Sequence, residues 1–154
     1  MPASAPKHLK TRKILFASLL VLICITLIYS GYQQSKPWVV PDEFKKLQNP
    51  IPPSESALKA ARTVYMEECV QCHGDHGKGD GPEAATHRPA PADLTDANRM
   101  ADVTDGEIFY QITEGRRPMP SFKNRLTQNQ RWQLTWLVRS FSRPMVGSDT
   151  NPKP

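Results

Sequence analysis

Cys69-Val70-Gln71-Cys72-His73 is the stretch on which the reading of this chain turns. Two thiols three residues apart, followed at once by a histidine, form the pattern on which haem c is covalently attached. On a helical turn each thiol can form a thioether to a vinyl group of one porphyrin, and the imidazole of His73 then stands where it can bind the iron. A zinc site would need four thiolate or imidazole ligands, and outside the motif the chain offers only His76, His87, His8 and Cys24. A thioredoxin-type dithiol belongs at a strand-to-helix junction, and no alternating apolar strand pattern lies beside Cys69. The expected cofactor is one covalent haem c on Cys69 and Cys72, with His73 as an axial ligand.

Upstream, residues 14–35 carry no charge, and Ile14 to Tyr29 is almost wholly apolar. At about 1.5 Å per residue such a helix crosses a bilayer core of about 30 Å. Lys7, Lys10, Arg12 and Lys13 precede it and stay on the cytoplasmic side by the positive-inside rule, with Tyr29 and Tyr32 near the far interface. We therefore expect a basic cytoplasmic segment over 1–13 and a transmembrane anchor over 14–32. A cleaved signal peptide is the competing reading; the run is long for one, and Tyr29-Ser30-Gly31 is a poor cleavage site. Cys24 lies inside the apolar run as a lipid-facing or packing side chain.

The 154-residue chain carries a net charge of +5, which would ordinarily suggest nucleic acid as a partner. The excess, however, lies within residues 1–37, and the 15 basic and 15 acidic side chains of 38–154 cancel. No nucleic-acid partner is expected. Residues 116–154 hold 8 basic and 1 acidic side chain, and Arg116, Arg117, Lys123 and Arg125 cluster early in that stretch. They form either ordinary solvated surface or a face that steers an acidic partner.

Five prolines between Gln33 and Pro53 predict an extended linker over 33–53. A helix follows from about Ser54 or Ser56 to Gln71, with Leu58, Ala61, Tyr65, Cys69 and Cys72 on one face. Thr104-x-x-Glu107 caps a second helix that ends at Gly115, and Thr127-x-x-Gln130 caps a third that stops before Pro144. The stretch 74–99, rich in Gly, Pro and Asp, reads as a long loop passing around a bound group. Three helices without a convincing strand give an all-α domain over 54–143, small enough to need the covalent haem as a staple, followed by a disordered tail over 144–154.

The second iron position can be filled by Met or His, or left open. Met119 is the strongest candidate, because Pro118 and Pro120 stiffen its loop and deny it helix or sheet pairing. The alternative is that Met119 fills core space. Met100 and Met145 are the other downstream sulfurs, Met100 reading as packing, while His76 reads as a solvated loop residue and His87 as either a solvent-exposed side chain or a second imidazole ligand.

The stretch from about 55 to 142 resembles a class I c-type cytochrome. The matching residues are Tyr65, Cys69-x-x-Cys72-His73-Gly74, Gly77-x-Gly79-Asp80-Gly81-Pro82, Pro89-x-Pro91-x-Asp93-Leu94, Gly106-Glu107, Gly115, Met119-Pro120 with Phe122, and the helix from Trp132 to Phe141. The resemblance implies a small cytochrome c fold wrapped around one covalent haem, with His73 and Met119 as axial ligands. It also implies first and last helices that cross, with Ala61 and Tyr65 facing Trp136 and Leu137, and a proline carbonyl that orients the ligating histidine, whether of Pro82, Pro89 or Pro91. The implied function is single-electron transfer between membrane-bound redox partners, without enzyme activity, on the periplasmic face of a bacterial inner membrane. The alternatives are a haem subunit of a larger respiratory or photosynthetic complex, and a haem enzyme or sensor with an open sixth position.

Overall fold

The computed structural model describes residues 7–35 and 38–143, so the expectations for the extreme N-terminus and for the tail 144–154 lie outside the described residues. The chain divides into two compact units, one ending at Trp38 and one beginning at Val39. In the first, α1 (Lys7–Ser35) is a single helix. Its stretch Thr11–Tyr32 is long and apolar enough to cross a membrane, and none of it is buried in protein. A helix that is apolar all round and unpacked has no amphipathic stripe to direct it onto a core.

The second unit is helical, and among its described residues the one strand-like feature is an isolated bridge between Arg116 and Met119. Its main helices are α3 (Glu55–Glu68), α6 (Asp105–Glu114) and α7 (Gln128–Ser142), after a single turn α2 (Asp42–Lys45). Two shorter helices, α4 (Val70–His73) and α5 (Ala97–Ala101), and a 3-10 turn at Ala84–Thr86 lie in the stretches that link them.

Each main helix begins where a side chain can satisfy its first free N–H groups. Ser54 caps α3 by accepting from the Ala57 N–H at 3.1 Å. Thr104 and Glu107 complete a reciprocal capping box on α6, and Thr127 with Gln130 does the same on α7. α6 and α7 end at Gly115 and before Pro144, as the sequence predicts.

The core forms where the apolar faces of α3, α6 and α7 meet. Ala61, Val64 and Tyr65 of α3 join Ile108 and Ile112 of α6 and Leu134, Leu137 and Val138 of α7, with Met100, Phe122 and Leu126 closing the cluster. Ala61 is fully buried on the core face of α3, and the Tyr65 and Phe141 rings meet at 5.3 Å. The Trp136 indole N–H donates to the Ile51 carbonyl at 2.6 Å.

The proline-rich stretch 33–53 was expected as a spacer, yet from Val39 onward it is docked on the domain. Val40 is buried, Phe44 packs on Tyr110 with centroids 4.8 Å apart, and the Asn49 amide donates to the Trp132 carbonyl at 2.9 Å. Gly106 permits this approach, because a Cβ there would overlap the Phe44 carbonyl oxygen. The first domain helix also ends sooner than expected. At Cys69 the backbone opens to φ −121° and ψ −31°, which divides the predicted 54–71 helix into α3 and α4. Met100 lies in α5, within the stretch expected to be irregular, and is buried in the core.

Candidate functional site

The attachment motif occupies the turn that follows α3. Cys69 N–H still donates to the Tyr65 carbonyl at 2.9 Å, and the His73 and Gly74 N–H groups donate to the Cys69 and Val70 carbonyls, both at 2.9 Å. The Tyr65 hydroxyl, buried beneath this turn, donates to the Gly74 carbonyl at 2.7 Å. Burial and the nearby Cys69 and acidic groups push that phenol's pKa well above its ordinary value, so it remains a donor.

The loop after the motif is clamped onto the same turn. The Gly79 N–H donates to the His73 carbonyl at 2.9 Å, the Gly81 N–H to the Cys72 carbonyl at 3.2 Å, and the Glu83 N–H to the Gln71 carbonyl at 2.8 Å. Gly81 is required at this crossing, because a Cβ there would stand 2.6 Å from the Gln71 carbonyl carbon and overlap two carbonyl oxygens.

His73 is held from behind by a backbone carbonyl. Its Nδ1 lies 3.4 Å from the oxygen of Ala92, and none of Pro82, Pro89 and Pro91 supplies this contact. Ala92 follows Pro91 directly, so the orienting group is not a proline here. Burial lowers the pKa of His73, with the Ala92 bond opposing that shift. The imidazole is therefore kept neutral, the form that can bind a metal, with Nδ1 engaged by Ala92 and Nε2 free of that bond.

Met119 sits in a loop with independent anchors on both sides. Gly115 N–H donates to the Gln111 carbonyl at 3.0 Å, Phe122 N–H to the Ile112 carbonyl at 3.2 Å, and Lys123 N–H to the Thr113 carbonyl at 3.0 Å. Buried Phe122 pins the far end, and the Met119 N–H closes a turn onto the Arg116 carbonyl at 2.9 Å. The Met119 side chain is half-buried and packs on the same core cluster as Cys69, Val70 and Leu94.

These residues fit a haem better than the rival groups. Burial, with Glu68 and Cys72 nearby, pushes the Cys69 thiol up to about 12, and burial and Glu83 raise that of Cys72 as well. Thiols kept protonated are poor redox nucleophiles. Cys69, Val70, Leu94 and Met119 are each partly buried and pack against the same core cluster, and their exposed apolar atoms are of the kind a flat apolar macrocycle would cover. Both cysteines are free of disulfides.

Two features were not foreseen. The Cys72 sulfur, a Glu83 carboxylate oxygen and a His87 ring nitrogen all lie within 4.8 Å of one another, brought together by the clamp on the 81–87 loop. The positive charge around Met119 is also partly matched, since Arg125 pairs with Glu68 and Lys123 with Glu114 at 3.0 Å. Neither pairing is visible as a sequence spacing, because the partners are 57 and 9 residues apart in the chain.

Comparison with known proteins agrees with this geometry. The profile of the family described as cytochrome c oxidase, cbb3-type, subunit III, matches residues 56–136. Among solved structures, a chain of the Kuenenia stuttgartiensis reducing HAO-like protein complex Kustc0457/Kustc0458 is similar, with 30% identity, a TM-score of 0.53 and 72% of this chain covered. This chain spans about half, 53%, of that one. The KustC0563 c-type cytochrome is 29% identical, with a TM-score of 0.47, over 54% of this chain and 98% of its own. No curated protein matches the chain. Haem c and haem-based electron transfer come with the family. The chain thus belongs to the cytochrome c family of the cbb3-type oxidase subunit III and is a class I c-type cytochrome.

Proposed function

We propose that the chain is a membrane-anchored monohaem cytochrome that passes single electrons between membrane-bound redox partners on the periplasmic face of a bacterial inner membrane. The observation that carries this reading is the pair of restrained axial candidates: a neutral His73 held at Nδ1 by Ala92, and Met119 in a loop anchored at Gly115 and Phe122. When bound, the haem supplies a one-electron couple.

The chain's own residues account for the rest. Cys69 and Cys72 hold the group in place through thioethers, and Tyr65 and Gly81 fix the turn that carries them. His73 and Met119 would ligate the iron, which would leave no open position for oxygen, peroxide or substrate and would favour electron transfer over catalysis. A thioether ligand raises the reduction potential. α1 keeps the domain near membrane-bound partners, which raises the encounter rate by effective concentration. Arg116 and Arg117 provide positive charge beside Met119 for an acidic partner, moderated by the Glu68 and Glu114 pairings nearby. Membership of a larger redox complex is the second reading, favoured by the similar chain that belongs to a multi-protein complex.

Met119→Ala tests the assignment. The variant is expected to lose the sulfur-to-iron charge-transfer band of the ferric protein, lower the potential and let carbon monoxide bind the ferrous form, whereas Met100→Ala does none of these. A band lost in Met100→Ala and kept in Met119→Ala would overturn the ligand assignment.

A further inference from the structure

The proline-rich arm over 39–53 has no part in the function described so far, yet the fold fastens it to the domain at several points. In the turn α2 the Phe44 N–H donates to the Pro41 carbonyl and the Leu47 N–H to the Phe44 carbonyl, both at 3.0 Å, which gives the arm a fixed local shape. Val40 is buried and Phe44 packs on Tyr110 of α6. Farther on, Asn49 uses both atoms of its amide: Oδ1 accepts from the Ile51 N–H at 3.0 Å, and Nδ2 donates to the Trp132 carbonyl at 2.9 Å. The Ile51 carbonyl then accepts from the Trp136 indole at 2.6 Å.

This docking sets how far the domain can travel from the end of α1. α1 ends at Ser35 and the fastened part of the arm begins at Val40. Five Cα-to-Cα steps, at no more than about 3.6 Å each, keep Val40 within about 18 Å of Ser35. An arm free as far as Ser54 would have nineteen steps, and at about 3.1 Å per residue for extended proline-rich chain it would reach about 60 Å. Docking therefore shortens the tether about threefold.

We propose that the arm is a strut that confines the domain to a shallow zone above the bilayer, and so restricts its redox partners to those whose electron-exchange site lies within that zone. The inference rests on α1 being the membrane anchor. A domain of about 100 residues is roughly 35 Å across, from a radius of gyration of about 13 Å. Added to the short tether, this places the limit at about 50 Å from the end of α1. The partner that fits is a membrane protein that exchanges electrons close to the surface, and one whose site stands at the top of a tall extramembrane domain is out of reach.

Gly106→Ala tests the strut while leaving α6 intact. Its methyl would overlap the Phe44 carbonyl oxygen and stand 3.0 Å from the Leu47 Cβ, so the arm must lift. Within the helix alanine is the better former, and the capping box of Thr104 and Glu107 is untouched. Phe44→Ser releases the arm from its own side, and Gly31→Ala, whose Cβ meets nothing within 4 Å, is the control. Each full-length protein is placed in liposomes and treated with trypsin. Pro37 blocks cleavage after Lys36, so the first sites beyond α1 are the exposed Lys45 and Lys46. Cleavage there follows the population of the undocked arm, and both arm variants are expected to release the domain at least about tenfold faster than the wild type and Gly31→Ala. Neutron reflectometry on supported bilayers is expected to show a wild-type protein layer ending within about 50 Å of the surface and a thicker layer for Gly106→Ala. Far-UV circular dichroism checks that the helices persist, and if Gly106→Ala unfolds, Phe44→Ser carries both measurements. Equal release from wild type and variants, or layers of equal thickness, overturns the strut alone. A wild-type chain that alkaline carbonate strips from the vesicles overturns the anchor reading and the strut together.

Discussion

Gly81→Ala probes the joint between the attachment turn and the loop that wraps it. The added methyl would stand 2.6 Å from the Gln71 carbonyl carbon, about 0.8 Å inside ordinary contact. It would also overlap the Val70 and Gln71 oxygens, and these are backbone atoms with little freedom to retreat. The loop must move away, which breaks the Gly81-to-Cys72 and Glu83-to-Gln71 bonds at 3.2 and 2.8 Å. At about 0.5–1.5 kcal/mol for each bond, the loss is about 1–3 kcal/mol. For a domain of this size that lowers the melting temperature by roughly 5–20 °C. Circular dichroism melting of the full chain in detergent measures it, with Gly31→Ala as a control because its Cβ meets nothing within 4 Å. A Gly81→Ala domain that melts with the wild type would refute the claim that this crossing holds the site.

Two further substitutions test the packing beneath the haem turn. Tyr65→Phe removes the 2.7 Å donor to the Gly74 carbonyl, which keeps its bond from the Gly77 N–H at 3.2 Å, at a cost of about 0.5–1.5 kcal/mol in denaturant titration; a neutral result would mean that the phenol does not brace the turn. Ala61→Leu forces apart α3 and α7 at a fully buried contact, with an expected loss of about 1–3 kcal/mol by the same assay, and an unchanged midpoint would show that the crossing is looser than its burial implies.

The main helices were legible because their signals are local. Thr104 with Glu107 and Thr127 with Gln130 are capping boxes whose two bonds both form, and Ser54 supplies the cap expected before α3. The haem motif was legible because its chemistry is contained in five consecutive residues. What was not legible depends on partners distant in the chain. Proline density correctly marks 39–53 as lacking long helix, but its docking depends on Gly106, Tyr110, Trp132 and Trp136. The choice of Ala92 over three nearby prolines for His73, and the approach of His87 to Cys72, depend on the path of a loop that has no periodicity to read. The break at Cys69 interrupts a helical pattern that continues through the cysteines, so the spacing alone gives no sign of it.

The central claim is that Cys69 and Cys72 carry one haem by covalent bonds. Mass spectrometry of the denatured full-length protein tests it most directly. The account predicts one porphyrin mass per chain, retained through denaturation and located by proteolysis to the peptide containing Cys69 to His73, and absent from the Cys69→Ala, Cys72→Ala double variant. Recovery of the bare polypeptide mass, with haem released into acid acetone, would contradict it.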